Sequence, residues 1–184
     1  MSLITWLKKV EVFSCFNESE LETLEQASRK LEFGFGETVL KSGETAEDLF
    51  VVLSGRVRLF AVDEKEKSLG ICKEGDSFAE KALLSDTPVD FSVRTSGKTE
   101  LLCFPVPVVR KLLESNKNAK RFITQYTALK FSGGLLARFL DIKENSLDRD
   151  EYDSLIRNIG AKKIKAGNKI LEQDNGKDCR LYII

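Results

Sequence analysis

The residues of this chain that could do chemistry gather in one stretch, "GDSFAEKALLSDTPVDF", from Gly75 to Phe91. A glycine turn leads to an acid, Glu80. A short helix start follows, and then a strand. Backbone N–H groups at the start of a short helix point outward and suit an anion such as a phosphate. Yet the stretch holds no arginine, and Lys81 is its one basic residue.

Other chemistries are easier to exclude. The sequence contains no histidine. That removes Ser-His-Asp and Cys-His catalysis and histidine-ligated metal sites. Neither a GxxxxGK[ST] phosphate loop nor a GxGxxG turn occurs. The expectation is a non-enzymatic chain with no metal site. Cys15, Cys72, Cys103 and Cys179 are widely spaced and form no CxxC pair, which fits reduced, core-filling thiols. The 29 basic and 29 acidic residues cancel, so nothing in the overall charge demands a polyanionic partner. The apolar start "MSLITWLKKV" is too short for a signal peptide or membrane span, and a cytoplasmic setting is expected, either alone or as the cytoplasmic part of a membrane protein.

The elements around the stretch read as mostly β with flanking helices. "NESELETLEQASRKLEF" opens a helix, with Asn17 as cap, Glu20 completing a capping box, and Leu21, Leu24 and Leu31 at helical spacing. From Gly36 to about residue 105, short β-branched runs alternate with glycine turns, which predicts an antiparallel jelly roll. In "RVRLFA", Val57, Leu59 and Ala61 form the apolar face, while Arg56, Arg58 and Phe60 form a partly charged one. Two helices are predicted over 106–143. Along the second, Phe122, Tyr126, Leu129, Gly133, Leu136 and Leu140 form a narrow apolar seam, suited to packing on the barrel or to a homodimer through residues 117–140. The pair Gly133-Gly134 should weaken or bend that helix. Seven basic residues against Glu114 within 106–138 fit either a solvated face or an anionic surface next to a membrane-embedded body.

The chain also echoes itself. Leu21, Leu24, Gly36 and Leu40 match Tyr152, Leu155, Gly167 and Leu171 at one common offset, and "LFVV" at 49–52 matches "LYII" at 181–184 after one inserted residue. The expected layout is a domain over 1–143 and the start of a second copy over 147–184, continuing in a longer protein.

The run "GETVLKSGETAEDLFVVLSGRVRLF … GDSFAEKALLSDTPVDFSV" resembles the cyclic-nucleotide-binding domain family, which includes catabolite activators, kinase regulatory subunits and nucleotide-gated channels. The likeness covers about residues 13–140. It implies an eight-stranded jelly roll with N- and C-terminal helices, and a phosphate-binding cassette between two strands. The family's cassette runs Phe-Gly-Glu-x-Ala-Leu-Leu and then Pro-Arg-Ala. Phe78 matches, Ala79 stands in the glycine place, and Glu80 matches the acid that accepts from the ribose 2′-hydroxyl. Ala82, Leu83 and Leu84 match the short helix, and Pro88 matches. Val89 stands where the arginine belongs, Asp90 replaces a small residue, and Ser92 follows on the strand.

The resemblance therefore implies a degenerate ligand site made of Phe78, Glu80, Ala82, Leu83, Val89, Asp90 and Ser92, with weak or no cAMP or cGMP binding and no other cofactor. Lys81 and Arg94 are the candidate replacement cations. Glu80 also has a structural explanation, because an acid in the first turn of a helix is stabilised by the helix dipole without any ligand. The implied role is ligand sensing or scaffolding for effector domains of the same longer chain. The competing reading is a genuine cyclic-nucleotide sensor controlling an attached transporter or channel. DNA binding is not expected, because a second barrel starts where a helix-turn-helix would follow.

Overall fold

A computed structural model of the 184-residue chain describes residues 2–62 and 66–139. Two compact units divide the chain, 1–127 and 128–184, and the sheets lie in the first. The proposed second copy over 147–184 falls outside the described residues.

The chain enters through α1 (Leu3–Leu7), a 3-10 turn at Glu11–Phe13 and α2 (Glu18–Ala27). The capping box at the start of α2 is formed in both directions. Asn17 Oδ1 accepts the Glu20 N–H at 3.0 Å, and Glu20 Oε2 accepts the Asn17 N–H at 2.8 Å. The helix ends at Ala27, earlier than the leucine spacing predicts. Leu31 belongs instead to β1 (Arg29–Phe33), which pairs antiparallel with β8 (Thr99–Pro105), Leu31 opposite Leu101. Pairing with a distant strand overrides the helical spacing here.

Between them run β2 (Thr38–Leu40), β3 (Asp48–Ser54), β4 (Arg56–Val62), β5 (Glu66–Lys73), β6 (Ser77–Phe78) and β7 (Ser92–Thr95). One four-stranded sheet has the order β1-β8-β3-β6 and the other β2-β7-β4-β5. All the described pairings are antiparallel.

The two sheets differ in how they meet solvent, and the sequence shows why. In β3 and β8, Leu49–Val52 and Leu101–Phe104 are buried without a break. One face of their sheet meets the second sheet. The other meets the helices, where the Phe13 and Phe104 rings touch edge to face at 4.8 Å. β4 alternates instead, because among the described residues no helix covers the outer face of its sheet. Val57 is fully buried and Leu59 is partly buried against the core, while Arg56 is exposed.

Between β3 and β4, Gly55 turns the chain at φ +84°, and a Cβ there would sit 2.4 Å from the Lys98 carbonyl oxygen. Only glycine fits that approach.

After β8 come α3 (Val106–Ser115) and α4 (Lys117–Phe139). The latter runs as one helix through Gly133-Gly134. Asn116 joins three elements. Its Oδ1 caps α4 through the Ala119 N–H, and its Nδ2 donates to the Glu20 carboxylate on α2. Ala119, Ile123 and Tyr126 are buried, so the first half of α4 packs against its own barrel. The side chains of Leu129, Gly133, Leu136 and Leu140 in the proposed seam lie outside the description. Among the described residues no helix is long and apolar enough to cross a membrane.

Candidate functional site

The cassette hangs between β6 and β7. β6 is pinned to β3, with Phe78 opposite Phe50 and the two rings stacked at 4.9 Å. The next residue, Ala79, takes the left-handed conformation, φ 69° and ψ 21°, and opens a 3-10 turn over Glu80–Leu83. Among the described residues it is the one non-glycine residue at positive φ. Alanine there costs roughly 1–2 kcal/mol, a cost glycine escapes. So the bend that the family pattern assigns to glycine is kept, and buried packing around Ala79, Ala82 and Leu83 holds it.

Glu80 is only 6% exposed. Its Oε1 accepts the Ser77 hydroxyl at 2.5 Å, and the Ser77 oxygen lies 3.3 Å from the Tyr126 hydroxyl on α4. The acid is thus held by its own chain, and the hydroxyl pair links the cassette to the C-terminal helix.

Val89 is 3% exposed. Its N–H donates to the Glu44 carbonyl at 2.9 Å, and its carbonyl accepts the Gly43 N–H at 2.8 Å. Asp90, by contrast, is exposed. Its charge meets water and salt, so any repulsion it exerts on a bound anion is screened and weaker than a desolvated pocket would give.

The two candidate cations part company. Lys81 lies half-buried on the 3-10 turn. Arg94 sits opposite Arg58 on the adjacent strand, on the face away from Val93 and the core. There it lies over the Phe60 ring at 5.0 Å and pairs with Glu66 at 3.4 Å. Ser92 shares this outer face with Phe60 and accepts the Ser42 N–H at 3.0 Å. Phe78, Glu80, Ala82, Leu83 and Val89 are buried, Ser92 is buried opposite Phe60 on the other face of β7 from Val93, and Asp90 is exposed.

Arg110 belongs to this site and was not legible in the sequence. From α3 its Nε and Nη2 both donate to the Ala82 carbonyl, at 3.0 and 2.5 Å, and Nη2 also pairs with Asp86 at 2.7 Å. One arginine thus bolts α3 to the cassette turn. Nothing in "VPVVRKLLES" names a partner 28 residues upstream.

Residues 30–116 match the family model described as the cyclic nucleotide-binding domain. This barrel belongs to that family. Among curated relatives, a cGMP-dependent protein kinase, egl-4, of Caenorhabditis briggsae is 31% identical over 87 residues, covering 46% of this chain and 12% of the kinase. The chain spans between about a tenth and three tenths of the length of the curated relatives it matches.

Solved structures share the fold. The sensor domain of the transcriptional regulator DNR from Pseudomonas aeruginosa superposes with a TM-score of 0.61 at 21% identity, over 78% of this chain and 95% of that one. The regulatory subunit of a cAMP-independent protein kinase A from Trypanosoma brucei has a TM-score of 0.54 at 21% identity, over 64% and 46% of the two chains. That structure is a triple mutant bound to cAMP in its A site.

Proposed function

We propose that this domain is a regulatory module that keeps the cassette fold but lacks its charge complement, so that it binds cAMP and cGMP weakly or not at all and serves as a scaffold or as a sensor of another ligand. The observation that carries this reading is Val89, an apolar side chain buried where the family pattern places arginine. A hydrogen bond to a charged group is worth about 1.5–3 kcal/mol, which is roughly 10- to 100-fold in affinity. Arg94, engaged with Glu66 and Phe60 on the outer face, does not make up the loss. This chain matches only part of its larger curated relatives, which supports effector domains elsewhere on the same chain, and we place it in a cytoplasmic setting. A homodimer through residues 117–140 and a neighbouring membrane-embedded body remain extensions of this proposal. DNA is not among the partners we propose.

The Trypanosoma brucei structure supplies a precedent for the test. Two of its substitutions introduce an arginine and, at the next position, an alanine, and it holds cAMP. The corresponding double change here is Val89→Arg with Asp90→Ala. Titration calorimetry on the full chain should give a Kd for cAMP and cGMP no tighter than about 10 μM before the change, and a gain of about 10-fold or more after it. Submicromolar binding by the unchanged chain would overturn the proposal in favour of a working cyclic-nucleotide sensor. Lys81, half-buried on the cassette turn, is the cation that reading would rely on.

A further inference from the structure

The second sheet carries an outer face and an open edge that the cassette does not use. Residues opposite each other on neighbouring strands share a face. By that register Arg56 and Lys73, Arg58 and Ile71, and Arg58 and Arg94 all lie on the outer side. Phe60 continues the row and is 3% exposed, yet it stands apart from the main core. Its cover is the Arg58 and Arg94 guanidinium groups, 5.3 and 5.0 Å from the ring centre. Glu66 accepts from both arginines and holds them down. Among the described residues of these strands, four cations and one acid lie on this face, and Arg56 and Lys73 at its far end are not paired with that acid, in a chain whose net charge is zero.

Beside them, β5 is the outermost strand of its sheet. It runs eight residues, long enough to template another strand. Two of its large apolar side chains face water, Leu69 at 52% and Ile71 at 61% exposure. Leu69 is the residue that a bulge leaves without an opposite number, between Gly70 and Ser68.

We propose that the β5 edge and the adjoining cationic face receive an extended, acidic segment of a partner protein, paired backbone to backbone with β5 and carrying apolar residues against Ile71 and Leu69. The charge pattern selects this occupant. Lys67, Lys73 and the bulge discourage pairing with neutral or basic strands, which is how natural edges avoid aggregation. They do not repel an acidic strand. An antiparallel second copy of β5 would offer Lys73 only one acid, Glu66, and that acid is already held by Arg58 and Arg94. Lipid headgroups and nucleic-acid phosphates match the cations, but neither satisfies the strand N–H and C=O groups that the β5 edge presents before Lys73, whose own backbone groups are taken by Asp76.

The test uses the full chain and a fluorescein-labelled peptide of alternating Glu and Val, read by fluorescence anisotropy. Saturable binding is expected, weakening on the order of tenfold or more when salt rises from about 0.05 to 0.5 M, because exposed charges are then screened. The same peptide with alternating Lys and Val should not bind. A version N-methylated at alternate residues should lose at least about tenfold, because strand pairing needs its amides. Arg56→Glu with Lys73→Glu should abolish binding, and Ile71→Thr should weaken it while keeping strand propensity. Arg56, Lys73 and Ile71 are exposed, so these variants should keep the thermal midpoint of the parent. No binding of the Glu-Val peptide would overturn the proposal. So would equal binding of the N-methylated peptide, or binding of phosphatidylserine vesicles or a DNA duplex in its place.

Discussion

Arg110 offers the sharpest measurement of what holds the cassette turn in place. Its guanidinium makes two hydrogen bonds to one carbonyl, that of Ala82, and one ion pair with Asp86. These interactions differ in worth. The Arg110 side chain is 32% exposed and the Ala82 carbonyl belongs to a buried residue, so a charge-assisted bond there is worth about 1.5–3 kcal/mol. Asp86 is 84% exposed, and a pair with so much water around it is worth about 0.5 kcal/mol or less. Arg110→Met keeps the stem's packing and removes the donors. It should cost about 2 kcal/mol in urea unfolding and lower Tm by roughly 4–8 °C, while Asp86→Asn should cost under about 0.5 kcal/mol. Amide hydrogen exchange locates the effect. The Leu84 and Ser85 N–H groups, both bonded to the Lys81 carbonyl, should exchange faster in Arg110→Met and unchanged in Asp86→Asn. If the two variants lost equal stability, the energy would reside in the ion pair, and the carbonyl bolt would be refuted.

Two further outcomes follow from local geometry. Gly55→Ala should cost at least about 2 kcal/mol in denaturant unfolding, because a methyl at φ +84° meets the Lys98 carbonyl oxygen and the Thr99 Cα, both backbone atoms; a loss under about 0.5 kcal/mol would show that the β3–β4 turn gives way easily. The Cys103 thiol is pushed up to about 12, first by burial and then by the nearby Asp48 charge. Its folded value lies above its unfolded one, so its contribution to stability is full below about pH 8.5 and is lost as pH rises toward 12. At pH 9 native Cys103 should therefore resist alkylation that the urea-unfolded chain undergoes readily, and rapid labelling of the native protein, read by peptide mass, would contradict its burial.

Local signals were legible where they were self-contained. Asn17 and Glu20 announced a cap that both side chains then formed. The unbroken apolar runs of β3 and β8 and the alternation in β4 followed from which sheet the helices cover. Leu31 misled because "RKLEF" lies mostly exposed along one side of its sheet, so its strand pairing left no alternating apolar pattern. Phe60 was assigned to the charged face and does lie there. What the sequence did not reveal is that two arginines, Arg58 of its own strand and Arg94 of the neighbouring one, cover it. The same limit hid Arg110, whose partner is supplied by tertiary packing alone. Of the residues named from the motif, Phe78, Glu80, Ala82, Leu83 and Val89 lie buried, while the exposure of Asp90 depends on where β7 begins.

If the site has lost its charged group, as we propose, it can have collapsed or been refilled, and the physics of a buried Val89 favours refilling. Arginine at position 89 would bring a guanidinium into a place now 3% exposed, and without an anion to answer it that charge would be costly. Valine reverses the sign, since burying such a side chain contributes about 1.5–3 kcal/mol. That gain is of the same size as the roughly 1–2 kcal/mol spent in holding Ala79 left-handed. Glu80 is answered by Ser77 within the chain, and the Ala82 carbonyl by Arg110. The acid of the family's pattern thus has an internal partner, and the arginine position holds an apolar side chain. On the proposed reading, packing around Ala79, Ala82 and Leu83 is enough to hold the left-handed bend, and restoring one arginine tests whether the cassette's shape has outlasted its charge.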